Sequence, residues 1–322
     1  MKKFVAKVLI YVLIVTIITC CVNFVYIKFD KAEYDTDRFD NIPSSIAICN
    51  FGSSHGYYGF NYEDVTNEEC FNFALTSQVL SYDRRIFDNY KDHIREGAVV
   101  FIPVSYFSLY GTDERTRDGF AEKNKRYYRI LPSDLIKEYD LKTDIYVNYF
   151  PSLISSVNLI KLLIGKSENT KEEIWSRVST DIDVKEVAAA TYKIHFVENS
   201  LDYDGNRVVN KEEVDALKYI VQACQSIGAT PVLVTTPFLQ EYTDAVKRND
   251  PEFYDEFYSL INAIADEMDV EYYDYGLDER FKNNYSWFMD SDHLNKEGAR
   301  QFVNILMEEV VHYGSTESLV ED

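Results

Sequence analysis

The stretch SIAICNFGSSHGYYGF, residues 45–60, contains the transition from a strand to a glycine loop that decides the fold class of this chain. Its first part, Ser45–Cys49, is a short apolar run of the kind that forms a buried strand. The loop behind it holds three of the chain's 12 glycines, which relax backbone sterics where a turn is tight or another group approaches closely. The small and polar residues of the loop are Gly52, Ser53, Ser54, His55, Gly56 and Gly59. Such a loop is either a plain turn or a site that presents a nucleophilic hydroxyl.

Apolar runs and helical patterns alternate along the rest of the chain. Continuous apolar runs at 97–107 and 230–237 predict strands that are buried on both faces. The segments 214–228 and 251–269 have apolar residues at helical spacing. Weaker patterns predict strands at 70–74 and 270–275 and a helix at 81–95. This alternation of strands and helices predicts an α/β fold with a parallel sheet covered by helices on both faces. An insertion at about 112–200 interrupts the alternation.

The composition limits the classes of function. The 322 residues contain 33 Lys and Arg against 54 Asp and Glu, which gives a net charge of -21. A nucleic-acid-binding domain is expected to be basic, so we predict no nucleic-acid partner. A hydrophobic fraction of 46% is sufficient for a large core. The five cysteines lack the spacing of metal ligands, and we predict neither a metal nor a cofactor.

One segment, Val8–Ile27, predicts a membrane anchor, because about 20 apolar residues span a bilayer core. It contains no charged residue, and Lys2, Lys3 and Lys7 precede it. Positive charge stays on the cytoplasmic side, so we predict a single-pass protein of the cell membrane with a cytoplasmic N-terminus and an extracytoplasmic domain. A cleaved signal peptide is the alternative. It fits less well, because the run exceeds an h-region of about 7–15 residues and no A-x-A site follows.

These patterns divide the chain into four predicted parts. They are an anchor (1–29), a polar stalk (30–43), an α/β domain (44–312) that contains the insertion, and a polar tail (313–322). Within the insertion, the apolar segment 146–165 contains Pro151 and several polar residues, so we do not interpret it as a second membrane span. It is predicted either to form a buried core helix or to contact the membrane or a partner helix.

A nucleophilic serine needs a base, and the base needs an acid that orients it. Of the five histidines, His293 in WFMDSDHLNKEGA (287–299) has the most suitable surroundings. Asp290 precedes it by three residues, and in a tight turn this spacing lets the carboxylate reach Nδ1 and leaves Nε2 facing outward. Asp292 is predicted to point elsewhere. Asn295 is predicted to cap the helix that follows.

The motifs FGSSHG (51–56) and DSDHLNKEGA (290–299) resemble those of the SGNH/GDSL hydrolase superfamily in kind and in order along the chain. The resemblance implies a three-layer α/β/α fold with a flavodoxin-like parallel sheet, and a serine esterase mechanism. Matched residue by residue, it places the nucleophile at Ser54, the acid at Asp290 and the base at His293. A register shifted by one residue would place Ser53 opposite His293 instead.

Two blocks of that superfamily are altered in this chain. FNFALTSQ (71–78) resembles the second block but lacks its glycine, and the resemblance implies the backbone N–H of Ser77 or Gln78 as an oxyanion donor. The third block, Gly-x-Asn-Asp, is replaced by Pro-Val-Ser-Tyr (103–106). Ser105 is therefore implied to complete the oxyanion hole beside the amide of the nucleophile.

Two other histidines are interpreted from their surroundings. His55 directly follows the candidate nucleophile and is predicted either to contact substrate and tune the site or to pack on Tyr57. His195, in YKIHFVE (192–198), is predicted to be a strand or core residue.

Within the superfamily, the chain resembles the membrane-anchored bacterial branch with the D-alanine transfer protein of teichoic acid synthesis and the alginate O-acetylation proteins. Members commonly carry Gly-Ser-Ser-His or a close variant, lack Gly-x-Asn-Asp and have one N-terminal anchor. The resemblance implies a cell-surface acyltransferase or esterase that acts on an envelope polysaccharide or teichoic acid beside a membrane-bound O-acyltransferase. The alternative is a non-catalytic glycan-binding or scaffolding protein of an envelope assembly with the same fold.

Because three lysines precede the apolar run, residues 30–322 should lie outside the cytoplasmic membrane. Protease added to intact protoplasts should therefore remove this domain, while a cytoplasmic marker protein stays intact. A domain that is protected until the membrane is permeabilised would contradict the predicted orientation.

Overall fold

The computed structural model describes residues 1–33, 35–112, 124–150, 171–202 and 204–311. The predicted polar tail and residues 151–165 of the apolar segment lie outside these ranges. The chain forms two compact units. The first consists of Met1–Asn41 and Ala121–Lys171, and the second consists of Ile42–Phe120 and Glu172–Asp322.

The first unit begins with a long apolar helix, α1 (Lys2–Glu33). Its stretch Lys3–Lys28 comprises 26 residues with a mean hydropathy of 2.7, and it is long and apolar enough to cross a bilayer. The predicted stalk is partly helical, because α1 continues to Glu33 and a 3-10 helix, Asp37–Asn41, buries Phe39. The other described elements of this unit are 3-10 helices at Asn124–Arg129 and Ser133–Leu135 and the helix α4 (Leu141–Tyr149).

The second unit is built on a five-stranded parallel sheet, as the alternating pattern predicts. The strands are β1 (Ile46–Asn50), β2 (Cys70–Asn72), β3 (Ile94–Pro103), β4 (Thr230–Thr235) and β5 (Glu271–Asp274). Their order in the sheet is β2-β1-β3-β4-β5, which is the order of flavodoxin-like sheets. The strand order reverses between β1 and β3. In such sheets, ligands bind at the carboxyl ends of the strands at this switch point.

The helices of this unit pack in two groups around the sheet. They are α2 (Ser54–Gly59), α3 (Leu80–Tyr90), α5 (Lys171–Trp175), α6 (Val184–Tyr192), α7 (Lys211–Ser226), α8 (Gln240–Asn249), α9 (Phe253–Met268) and α10 (Lys296–Leu306). α7 packs against α3 and α9, whereas α2 packs against α10. All five residues of β1 are buried, as expected for a strand covered on both faces. The later part of the predicted insertion, residues 172–200, belongs to this unit.

The main difference from the predicted elements concerns the helix at 81–95. α3 ends at Tyr90, because Ile94 is already the first residue of β3 and pairs with Ile46 of β1. The helical spacing of apolar residues continues through Ile94, so the sequence pattern does not reveal that this residue belongs to the sheet. The physical reason is a tertiary contact, because pairing with β1 stabilises the extended conformation of Ile94 more than the local sequence favours a helix.

Two of the three loop glycines have a steric role. Gly52 has a φ of +111°, a conformation that residues with a side chain rarely adopt. A Cβ at Gly56 would lie 2.3 Å from the carbonyl oxygen of Phe51, so glycine lets α2 lie directly on the end of β1. A Cβ at Gly59 would meet Thr236 Cγ2 at 3.3 Å, a contact that a small shift can relieve.

The substitution Gly56→Ala should therefore destabilise the protein by about 1–3 kcal/mol, because the new methyl group overpacks the junction of β1 and α2. Gly59→Ala is the matched control in the same helix, and it should change the free energy of unfolding by less than about 1 kcal/mol. Urea unfolding of the detergent-solubilised chain, followed by tryptophan fluorescence, measures both. Equal losses for the two variants would contradict the steric account.

Candidate active site

The glycine loop places Ser54 just after β1, at the switch point of the sheet. Ser105 follows β3, the strand on the other side of this point. The loop 290–293 precedes α10, which is capped by Asn295 as predicted: its side chain accepts from Gly298 N–H at 3.0 Å. Three segments far apart in the sequence thus bring polar side chains to one edge of the sheet.

Ser54, His293 and Asp290 form a continuous chain of hydrogen bonds. His293 Nε2 lies 2.8 Å from Ser54 Oγ, and His293 Nδ1 lies 3.0 Å from Asp290 Oδ2. Asp290 Oδ1 also accepts from the backbone N–H groups of Asp292 and His293, at 3.0 and 2.8 Å, which closes the predicted tight turn. Since His293 bonds to Ser54, the alternative register with Ser53 opposite His293 is wrong.

Two asparagines at strand ends hold α2 in place. Asn50 Nδ2 at the end of β1 donates to Gly56 O and to Asn72 Oδ1, both at 3.1 Å. Asn72 at the end of β2 donates to Gly56 O at 3.0 Å and is within 3.3 Å of the carbonyl oxygens of Tyr57 and Phe60. These bonds satisfy carbonyl groups that so short a helix leaves without internal partners. This role was not predicted from the sequence, although the position of each asparagine at the end of an apolar run indicates it.

Behind Ser54 and His293 lies a second, buried set of hydrogen bonds centred on His55. Its Nδ1 is 2.6 Å from Ser105 Oγ, and its Nε2 is 3.0 Å from Asp292 Oδ2. The side chains of His55 and Asp292 are 0% and 1% exposed. The His55 ring stacks on the His293 ring, with the centroids 4.8 Å apart. Asp292 Oδ2 also lies 3.7 Å from His293 Nδ1, so the prediction that Asp292 points elsewhere is wrong.

The residues predicted to bind the oxyanion or substrate are mostly engaged in other contacts. The backbone N–H of Gln78 donates to Leu75 O at 3.0 Å, inside the turn after β2. Ser105 and His55 are buried and bond to each other. The Gln78 N–H and the Ser105 hydroxyl are thus engaged in contacts other than the oxyanion hole predicted for them, and His55 lies behind the site rather than at the substrate. Ser77 is exposed and has a φ of +54°, which glycine adopts more readily, and its role stays a prediction.

His195 approaches the same cluster from a π-helical segment, Lys193–Glu198, rather than from a strand. Its Nδ1 lies 3.0 Å from the Tyr242 hydroxyl, and its ring lies against Phe107 with the centroids 3.9 Å apart. Burial lowers the pKa of His195 to about 3, so this ring is neutral. Single π-helical turns occur often at functional sites. His195 thus encloses the cluster with an uncharged ring.

The titratable groups around His293 have pKa values that are shifted in different directions. Burial by itself lowers the pKa of His293, but the carboxylates of Asp290 and Asp292 outweigh burial and raise this pKa to about 9. Burial lowers the pKa of His55, which stays neutral. Burial opposes the ionisation of Asp292, yet His293 and the hydrogen bond from His55 hold the pKa of Asp292 well below its usual range. At neutral pH the cluster therefore contains one imidazolium, on His293.

Three atoms that could ligate a metal ion, one each from His55, Asp292 and His293, lie within 4.8 Å of one another, which is close enough to bind one ion together. The hydrogen bonds account for this proximity in another way. Asp292 accepts from His55 through Oδ2 and from Ser291 through Oδ1, and His293 Nδ1 is bonded to Asp290. We therefore interpret the cluster as a set of hydrogen-bonding groups.

A cleft of about 440 Å³ opens beside Ser54 and His293. Its apolar lining consists of Tyr58, Ile174, Val178, Ile182 and Met289. Arg177 and Asp181 add charge, and Arg177 forms no ion pair with any residue that the structure describes. One wall of the cleft thus comes from the later part of the predicted insertion. Arg177 was not predicted as a site residue, because the insertion lacks the periodic apolar pattern from which the other elements were predicted.

Comparisons with known proteins assign no family to this chain. No protein-family model matches it, and no curated protein matches it.

The charge arrangement predicts that His293 titrates near pH 9, well above the usual imidazole range of about 6.5, because Asp290 and Asp292 favour its protonated form. NMR of the full chain labelled with ¹⁵N-histidine in detergent micelles measures this, since the chain has only five histidines. His293→Gln identifies the resonance by its loss. Titration of His293 near pH 6.5 would contradict the predicted electrostatics.

Proposed function

We propose that this protein is a cell-surface serine acyltransferase or esterase that acts on an envelope polysaccharide or teichoic acid through an acyl-enzyme on Ser54. The observation that carries the proposal is the hydrogen-bonded chain from Ser54 Oγ through His293 to Asp290, beside an open cleft. A serine hydroxyl, an imidazole and a carboxylate in this order are the parts that nucleophilic acyl transfer requires.

Each of the three residues has one role in the proposed reaction. His293 Nε2 takes the proton of Ser54 while Ser54 Oγ forms a bond to the acyl carbonyl carbon. The same proton then passes from His293 to the leaving oxygen as the bond to the acyl group breaks. Asp290 holds the ring through Nδ1 and stabilises the imidazolium. An acceptor hydroxyl, from a sugar or from water, repeats these steps in reverse and regenerates the serine.

The oxyanion of the tetrahedral intermediate needs hydrogen-bond donors. The backbone N–H of Ser54 lies in the first turn of α2, where helical N–H groups have no acceptor within the helix. We assign it as one donor, and Ser77 remains the candidate for a second. One such donor contributes about 3–4 kcal/mol of transition-state stabilisation in related sites.

The cleft suggests how a substrate is held. Its apolar wall suits the hydrocarbon part of an acyl group. Arg177 is a cation without an ion-pair partner among the described residues, in a chain of net charge -21. It suits an anionic group on the acceptor, such as a uronate carboxylate or a phosphodiester. Both kinds of group occur in the proposed polymers.

The N-terminal helix is consistent with an enzyme that acts at a membrane surface. α1 is long and apolar enough to span a bilayer, and Lys2, Lys3 and Lys7 favour a cytoplasmic N-terminus. The proposed domain then faces the envelope, where a membrane-bound O-acyltransferase is the proposed partner that supplies the acyl group. This partner is proposed because the sequence resembles the membrane-anchored branch of the SGNH/GDSL superfamily.

A non-catalytic role in glycan binding or scaffolding is the second candidate function. It is favoured by the raised pKa of His293, to about 9, because a protonated imidazole cannot accept the Ser54 proton at neutral pH. It is also favoured by the engagement of Ser105 and Gln78 in other hydrogen bonds. The acyl-transfer proposal accommodates the first point if turnover increases toward alkaline pH.

Ser54→Ala should abolish acylation of the envelope polymer, with a loss of about 10³-fold or more, because no other group replaces the nucleophile. Ser53→Ala is the matched control, since Ser53 is the neighbouring hydroxyl and its side chain makes no capping hydrogen bond. Acylation is measured in cells that carry each variant as the only copy. The same pair is tested by labelling of the purified protein with a fluorophosphonate.

Normal acylation with Ser54→Ala as the only copy would remove the catalytic proposal and favour the scaffolding function. Loss of acylation with both variants would point to a folding defect, which thermal unfolding detects. Ser54 is only partly buried, so its substitution should leave stability within about 0.5 kcal/mol of the wild type.

A further inference from the structure

A second carboxylate faces His293 from the interior of the protein. Asp292 Oδ2 lies 3.7 Å from His293 Nδ1, and the Asp292 side chain is 1% exposed. Asp290, which bonds to the same nitrogen, has a side chain that is 32% exposed. The Nδ1 atom of His293 therefore faces two carboxylates, one at the cleft and one that solvent does not screen.

The charge of Asp292 determines the tautomer of its hydrogen-bond partner His55. An ionised carboxylate accepts hydrogen bonds and donates none, so His55 must carry its proton on Nε2, which lies 3.0 Å from Asp292 Oδ2. His55 Nδ1 is then an acceptor, and it receives the hydroxyl proton of Ser105 across 2.6 Å. In this arrangement His55 is neutral. The negative charge of Asp292 is thus not cancelled by its nearest partner.

We propose that Asp292 is a positioning residue for His293: held in place by His55, it stabilises the imidazolium that forms when His293 takes the proton of Ser54. Its role in turnover rests on the acyl-transfer function proposed above, whereas its electrostatic effect on His293 does not. His55 supports this arrangement in two ways, because it orients Asp292 through a hydrogen bond and its ring stacks on the ring of His293.

No Lys or Arg among the residues that the structure describes forms an ion pair with Asp290 or Asp292, so neither carboxylate is neutralised by such a partner. The polar and titratable groups around it, from each described element that packs there, are Ser54, His55 and Tyr58 of α2, Asp290 and Asp292 of its own loop, Arg177 and Asp181 of the cleft wall, His195 of the π-helical segment and Tyr242 of α8. Among these, Asp290 and Asp292 are the carboxylates within 4 Å of Nδ1. An opposite charge at this distance shifts a pKa by about 1–3 units.

The test compares the pKa of His293 in the full chain and in Asp292→Asn, by NMR of ¹⁵N-histidine in detergent micelles. Asparagine keeps the shape of the side chain and removes the charge, so the pKa of His293 should decrease by about one unit or more. Ser105→Ala is the matched control, because it removes a neutral hydrogen bond from the same buried set and should leave this pKa unchanged. An unchanged pKa in folded Asp292→Asn would overturn the proposal.

A measurement on the unsubstituted protein covers the case in which Asp292→Asn does not fold. The ¹⁵N shifts of His55 distinguish its two neutral tautomers. The proposal requires the proton on Nε2. The other tautomer would direct a lone pair at Asp292, which would then have to be protonated and neutral, and the proposal would be overturned.

The role in turnover is tested by the pH dependence of kcat/KM. With Asp292→Asn the acid limb should move to lower pH by the same shift that NMR reports for His293, because this limb reflects the base of the free enzyme. A limb that stays in place while the NMR value moves would overturn the role in catalysis. If the Ser54→Ala test fails, the proposed function is wrong, but the NMR comparison still decides whether Asp292 controls the protonation of His293.

Discussion

The close contact between α2 and the end of β1 is the constraint on which the site depends. Glycine at position 56 lets the helix lie against the carbonyl of Phe51, where a side chain would collide. Asn50 and Asn72 then bind the carbonyl oxygen of Gly56. Ser54 is thereby fixed at the switch point of the sheet, and the loop before α10 can bring His293 within hydrogen-bonding distance although 239 residues separate them.

Charge is the second organising feature. Two carboxylates and two histidines share a small volume, and burial decides which histidine is charged. His55 is enclosed and neutral, whereas His293 contacts both carboxylates and is protonated more easily. The site therefore combines a nucleophile with a base whose resting state depends on pH. This links the two proposed functions to one physical quantity, the protonation of His293.

Local periodicity predicted the parallel sheet and the apolar N-terminal helix, and the Asp-x-x-His spacing predicted the contact between Asp290 and His293. The placement of Ser54 opposite His293 was implied by the resemblance to the SGNH/GDSL superfamily, because 239 residues separate the two along the chain. The patterns could not predict the contacts of Asp292 and Ser105 with His55, because these contacts form only when α2, the end of β3 and the loop before α10 meet in the folded chain. Gln78 was assigned as a donor by resemblance, but the local turn uses its N–H. The cleft wall around Arg177 has no periodic pattern that the sequence reveals.

The central claim is that Ser54 forms an acyl-enzyme, and peptide mass spectrometry tests it most directly. The purified full chain is incubated with an activated acetyl ester at alkaline pH, where His293 is neutral, and is quenched with acid before digestion. The account predicts the added mass of one acetyl group on the peptide that contains Ser54, and its absence in Ser54→Ala. A peptide without acetyl, or acetyl that persists in Ser54→Ala, would contradict the account.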